Sequence, residues 1–266
     1  MSKLYAAPQR AFQDMFDTRR IANAAEQLIV HPEVSDDEKA FIESRDMFFL
    51  STIDARGFPT CSYKGGDPGF VKVVDKRTIA FPSYDGNGMF YSMGNIRGNA
   101  RIGILFIDFE TPHRMRLHGT ATIDDNDPLM MDYKDADMVV RVRVEELFIN
   151  CPRYVHLYTK VKPSQYVPRD GCITPYAVWK RIDAIQPALA GRDQGKAEGA
   201  GGLITMDEYF AKVGKGEAWS AVNAVNNVNV VNGATGESEN GDYREHFNSL
   251  RASMILAGQS PHRLQT

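Results

Sequence analysis

FFLSTIDARGFPTCSYKGGDPGFVKVVDKRTIAFPSYDGNGMFYSMGNIRGNARIGILFIDFETPHRMRLHGTATI, residues 48–123, switches between two hydrophobic periods, and the switches mark its elements. Its last ten residues alternate strictly: Met115, Leu117, Gly119, Ala121 and Ile123 are apolar or small, while Arg114, Arg116, His118, Thr120 and Thr122 are polar. A period of two is that of a strand with one buried face. Upstream, residues 47–54 and 58–64 flank a turn at Ala55-Arg56-Gly57 and read as a hairpin, and further strands are expected at 78–82 and 101–109. Met89, Met93, Ile96 and Ala100 recur at helical spacing between them. Beyond the quoted stretch, Val140, Val142 and Val144 alternate with Arg141, Arg143 and Glu145, giving a sixth strand over 138–149, with a short helix opened by Asp127-Pro128 before it. Six antiparallel-type strands with few intervening helices predict a barrel rather than a doubly wound parallel sheet.

On the N-terminal side, residues 8–45 read as two helices. Phe12, Met15, Phe16 and Ile21 lie at helical spacings, and Ser35-Asp36-Asp37-Glu38 is a capping box before Phe41 and Ile42. On the C-terminal side the composition shifts toward Gly, Ala, Asn and Val after about residue 186. A capping box at Thr205 to Glu208 predicts a helix ending at Gly214, and a last helix is expected over 242–258 with Phe247, Leu250 and Met254 on one side. Between these two, AVNAVNNVNVVNGATGESENG disfavours helix. The organisation expected is N-terminal helices over 1–45, a barrel domain over 46–186 and an appendage over 187–266.

Composition narrows the function. Of 266 residues, 43% are hydrophobic and 24% charged, the balance of a globular chain. The formal charge of −3 advertises neither a nucleic acid nor an acidic membrane as partner. Three widely spaced cysteines without a CxxC pair suggest neither a disulfide framework nor a zinc site, so a reducing cytoplasm is expected. No apolar run reaches the roughly 18 residues of a membrane span. His113 and His118 are five apart on one strand and point to opposite faces, so they cannot share an ion. There is no GxSxG elbow, no GxGxxG and no GxxxxGK, which sets aside hydrolase, Rossmann and P-loop chemistries.

The order of several short motifs is more telling. Gly57-Phe58-Pro59 in the opening hairpin, the strand Thr78-Ile79-Ala80-Phe81-Pro82-Ser83 with a polar Gly-rich loop after it, Asn99-Ala100-Arg101 leading into Ile102 to Phe106, and the closing strand Arg114 to Gly119 occur in series. Ser62-Tyr63-Lys64-Gly65-Gly66, Asp85-Gly86-Asn87-Gly88-Met89, Gly94-Asn95-Ile96 and Asn150-Cys151-Pro152-Arg153-Tyr154 accompany them. Over about residues 35–185 the chain resembles the FMN-binding split-barrel family typified by pyridoxamine 5′-phosphate oxidase, which implies a six-stranded antiparallel split β-barrel with flanking helices.

The resemblance also implies a cofactor, FMN, and a homodimer with two flavin sites at its interface. Cofactor contacts are expected among Ser62, Lys64, Lys72, Phe81, Pro82, Ser83, Asn87, Gly88, Ser92, Asn95, Arg114 and Arg116. Phe81, Pro82 and Ser83 would lie beside the ring with their backbone at its polar edge, and Arg114 or Arg116 would come from the second subunit. Where the parent oxidase carries an Arg-Lys pair for the phosphate, this chain has Gly86-Asn87-Gly88, leaving Lys64 and Arg116 as the substitutes. Each has a bland reading: Lys64 as a solvated strand end, Arg116 as the charged outer face of a strand, Asn87 and Asn95 as left-handed turn positions. The function expected is flavin-dependent oxidation–reduction of a small molecule or a reduced nicotinamide, the flavin supplying the chemistry so that no acid–base constellation is needed. A non-catalytic module holding flavin or haem is the alternative. Oxidation of vitamin B6 itself is disfavoured, because the chain ends His262-Arg263-Leu264-Gln265-Thr266 rather than Arg-Leu-Ala-Pro.

Overall fold

A computed structural model describes Ser2 and residues 4–216. The chain divides into two compact units, one ending at Cys172 and the other beginning at Ile173, so the division falls earlier than the composition shift near residue 186. In the first unit three helices precede the sheet, not two: α1 (Ala7–Met15), α2 (Arg19–Ile29) and α3 (Asp36–Ser44). The extra break lies between α1 and α2, where Asp17 takes a left-handed φ of 50° that no helix continues through. The capping box forms as expected, with Ser35 Oγ accepting from Glu38 N–H and the Glu38 carboxylate accepting from Ser35 N–H at 2.9 Å.

The strands are β1 (Met47–Ile53), β2 (Pro59–Gly65), β3 (Lys72–Asp75), β4 (Thr78–Tyr84), β5 (Arg101–Asp108), β6 (His113–Asp124) and β7 (Ala136–Asn150), with α4 (Tyr91–Gly98) between β4 and β5. They form one antiparallel sheet in the order β2-β1-β5-β6-β7-β4-β3, seven strands rather than six. The added strand, Lys-Val-Val-Asp, is too short for any period to register.

The sheet curls on itself. Phe48 of β1 and Phe81 of β4 are far apart in strand order, yet their ring centroids are 4.9 Å apart, edge to face, and Phe48 also meets Phe106 at 5.5 Å. Inward residues of every central strand join this one cluster, among them Leu50, Ile104, Met115, Leu117, Val140 and Val142. Gly119 sits where the β6–β7 register shifts. A Cβ there would lie 2.5 Å from the Arg143 carbonyl oxygen, so only glycine lets the strands close at this bulge.

Asp127 opens the predicted short helix, a 3₁₀ turn over Pro128–Asp132, by accepting from Leu129 N–H at 2.9 Å. Arg141 of β7 donates to the same carboxylate and, with that backbone bond, holds it below the usual carboxylate range. A depressed carboxylate pKa contributes stability above the unfolded value and loses it as pH falls through the folded value. Asp127→Asn keeps a capping side chain but removes the charge. Arg141 is 32% exposed and screened, so the expected loss at neutral pH is about 0.5–1 kcal/mol. Thermal melts of variant and wild type should converge as the pH is lowered; a constant gap across pH would show that the charge is not involved.

In the second unit, α5 (Met206–Gly214) starts at the predicted capping box, with Thr205 Oγ1 accepting from Glu208 N–H at 3.2 Å. Ile182 and Ile204 pair across a parallel bridge inside a small cluster with Val178. The predicted helix over 242–258 and the Asn-rich stretch before it lie outside the described residues.

Candidate functional site

The β1–β2 turn and the start of α4 are tied by one carboxylate. Asp54 accepts from the backbone N–H groups of Arg56 and Phe58, both at 2.9 Å, from the Arg56 guanidinium, and from Tyr91 Oη at 2.9 Å. The Arg56 guanidinium foremost, with the other donors, keeps it ionised well below the ordinary range. Beneath this turn, Ser62 Oγ lies 2.8 Å from Ser92 Oγ, and Asn95 Nδ2 donates to Thr52 Oγ1 at 3.0 Å, itself 2.7 Å from Thr60 Oγ1. Three predicted residues, Ser62, Ser92 and Asn95, thus come together as the seat of α4 on the β1–β2 hairpin. Asn95 is inside the helix and buried, not at a left-handed turn.

Lys64 belongs to the same surface. Its register partner is Phe48, whose partner is Phe106, so Lys64 and Ser62 share the inward face of the sheet on which α4 rests. Among the described residues the Lys64 ammonium has no partner, and burial pushes its pKa below that of an ordinary lysine. An unpaired, partly desolvated cation favours an incoming anion. The first turn of α4 has no side-chain cap, because Phe90 before it carries no acceptor, so its leading amides retain donor capacity. Lys64, Ser62, Ser92 and that helix terminus make a set of donors suited to a phosphate.

Other predicted contacts are placed differently. The ring of Phe81 is fully buried in the barrel core and cannot wall a cofactor. Only its backbone is available: β3 pairs with β4 no further than Ala80, leaving Phe81, Pro82, Ser83 and Tyr84 without a strand partner on that edge. Lys72 is not free for a phosphate. It pairs with Asp132 at 2.5 Å over the Tyr133 ring, on the face opposite Lys64. Asn87 is exposed and its Oδ1 accepts from Met89 N–H at 3.1 Å, a turn bond, while Gly88 takes the left-handed φ of 75°.

Arg114 and Arg116 lie on the outer face. Met115 between them is buried and pairs with Phe106, so the two arginines point away from Lys64. The side chain of Arg116 is exposed. Among the described residues Arg114 Nε is buried without a partner, and so is Oδ1 of Asn150, directly across the β6–β7 ladder. Asn150 therefore joins the candidate residues; as the last residue of a strand it carried no sequence signal beyond its place in Asn-Cys-Pro-Arg-Tyr.

A second feature was not expected. A cleft of about 510 Å³ opens on the outer face, floored by Met47, Gly65 and Ile107 and roofed by residues 158–167. None of the twelve predicted residues lines it, although Tyr63 and Gly65, on either side of Lys64, and Tyr84, after Ser83, do.

Residues 34–158 match the family model described as pyridoxamine 5′-phosphate oxidase. Among solved structures, HupZ of Group A Streptococcus is 21% identical, with 43% of this chain and 93% of that chain covered and a TM-score of 0.36. An FMN-binding protein of Syntrophomonas wolfei is 11% identical over 53% of this chain and 97% of its own, with a TM-score of 0.34. General Stress Protein 26 of Bacillus anthracis is 12% identical over 42% and 91%, again with a TM-score of 0.34. No curated protein matches.

Proposed function

We propose, from the match of residues 34–158 to the pyridoxamine 5′-phosphate oxidase family, that the protein is an FMN-dependent oxidoreductase of the split-barrel class. FMN, when bound, supplies the hydride or electron exchange with a small molecule or a reduced nicotinamide. The observation that carries this reading is the unpaired ammonium of Lys64, half-buried on the strand face where Ser62 meets the start of α4. Lys64 would hold the phosphate by charge, the free O–H of the Ser62–Ser92 pair would donate to it, and the leading amides of α4 would complete the cradle. The unpaired edge of β4 at Phe81–Tyr84 offers backbone groups to the polar rim of a flat ring.

Arg114 and Arg116 take part from a second copy. One face of a sheet cannot present Lys64 together with residues of the other face, so a site using both needs two chains. The protein is therefore proposed to work as a homodimer. A cytoplasmic location fits the three free, exposed cysteines. Among the described residues no helix is long and apolar enough to cross a membrane.

Purified protein should be yellow, and the supernatant after heat release should show FMN on chromatography. Bleaching by a reduced nicotinamide and recovery in air would support an oxidoreductase. Flavin that resists reduction would favour a storage or relay role, and stoichiometric haem, FAD or a deazaflavin would overturn the cofactor assignment.

A further inference from the structure

From Cys151 to Cys172 the first unit has neither helix nor strand. Irregular segments of this length inside a compact unit are linkers or functional loops. This one is fastened along its length. Tyr158 N–H donates to the Phe109 carbonyl at 3.1 Å, and Lys160 N–H to Glu110 Oε1 at 3.1 Å. The Lys160 ammonium pairs with Asp46 at 2.5 Å, and the Arg169 guanidinium grips both oxygens of Asp67 at 2.6 and 2.7 Å. Lys134 Nζ donates to the carbonyls of Arg169 and Cys172 at 2.9 and 2.6 Å. Fixing so many residues costs conformational entropy that a linker has no reason to spend. The family match ends at residue 158, where the roof over the cleft begins.

The cleft's chemistry is distinctive. Its walls are aromatic: Tyr63, Tyr84, Phe109, Tyr158 and Tyr166, with Tyr158 set edge-on to Phe109 at 5.3 Å. Tyr63 and Tyr158 keep 63% and 60% of their surface exposed, so ring faces are available to a guest. Burial raises the phenol pKa values of Tyr63 and Tyr84, so both remain hydroxyl donors. Two of the three cations are already neutralised, Arg45 by Asp108 at 2.6 Å and Lys160 by Asp46. Lys162 has no partner among the described residues. The one uncompensated acid, Glu110, faces the roof's backbone. A dianion would find too few cations here, whereas a flat ring bearing one negative charge finds ring faces, phenol donors and one ammonium.

We propose that the roofed cleft binds a planar aromatic monocarboxylate, with Lys162 as its counter-charge. That this guest is the flavin's redox partner rests on the FMN reading above, since Tyr84, which lines the cleft, belongs to the β4 edge assigned to the ring.

The probe is 2-naphthoate, titrated by fluorescence into the full-length protein as purified, with flavin content measured separately by absorbance. Lys162→Met should weaken 2-naphthoate about fivefold, the loss expected of one charge-assisted contact at a partly exposed site. The neutral 2-naphthylmethanol should bind wild type and Lys162→Met alike, and Tyr158→Ala should weaken both ligands. Failure of 2-naphthoate to bind, equal losses for acid and alcohol in Lys162→Met, or displacement of FMN by the acid would overturn the proposal. Flavin-free protein that still binds 2-naphthoate through Lys162 sustains the pocket and refutes only the cofactor assignment. Flavin-loaded protein that ignores the acid does the reverse.

Discussion

Phe48→Ala is expected to lower the unfolding free energy by about 3–5 kcal/mol, read as a shift in the midpoint of a urea transition at unchanged slope. Phe48 is fully buried and touches three other rings: Phe70 at 5.7 Å, Phe81 at 4.9 Å and Phe106 at 5.5 Å. Phe106 is its neighbour on the adjacent strand, but Phe81 belongs to β4, four positions away in strand order. Deleting the ring therefore leaves a cavity at the point where the curled sheet meets itself, and no single strand can shift to fill it. Phe48→Leu retains most of the volume and should lose less than half as much. A cycle combining Phe48→Ala with Phe81→Ala should show coupling of about 0.5–1.5 kcal/mol for the edge-to-face pair. Additive losses would mean that closure rests on other contacts.

The barrel was legible where one side of a strand faces water. Arg114 to Ile123 could be read by eye, because each inward residue is flanked by polar ones, and the box at Ser35 announced α3 through two hydrogen bonds local to the sequence. The inward direction of the Phe81 ring is illegible for the opposite reason. β4 is buried on both faces, Phe81 toward the core and Ala80 under Tyr133, so its sequence carries no mark of which way a side chain points. Lys72 looked free because its partner, Asp132, is remote in sequence. Asn87, among the described residues, bonds within its own turn. The separation of Lys64 from Arg116 was hidden in another way. Alternation fixes relative faces within one strand, but relating β2 to β6 needs the registers through β1 and β5. The roof over the cleft had no signal at all, since its ties, such as Lys160 with Asp46 and with Glu110, join residues that no local pattern connects.

That separation gives the sharpest test of the site. Lys64→Met and Arg116→Met should each weaken FMN by one charge-assisted hydrogen bond, about 1.5–3 kcal/mol or roughly one to two decades in Kd. Riboflavin, which lacks the phosphate, should bind wild type and both variants almost equally. Equal losses for both ligands would instead mean that the residues support the barrel and that the phosphate lies elsewhere. If the two cations reach one phosphate from different chains, the variants should complement each other. A heterodimer of one Lys64→Met chain and one Arg116→Met chain, isolated through two different tags, contains one site with both cations and one with neither. FMN titration should then resolve one site of wild-type affinity and one that is weaker than in either parent variant. Were both sites weak to the same degree, the two residues would act within one chain, which the registers of β1, β2, β5 and β6 forbid unless the sheet reorganises on binding. A wild-type species sedimenting at 29.7 kDa with flavin still bound would remove the two-chain site altogether, and Lys64 with the start of α4 would then hold the phosphate alone.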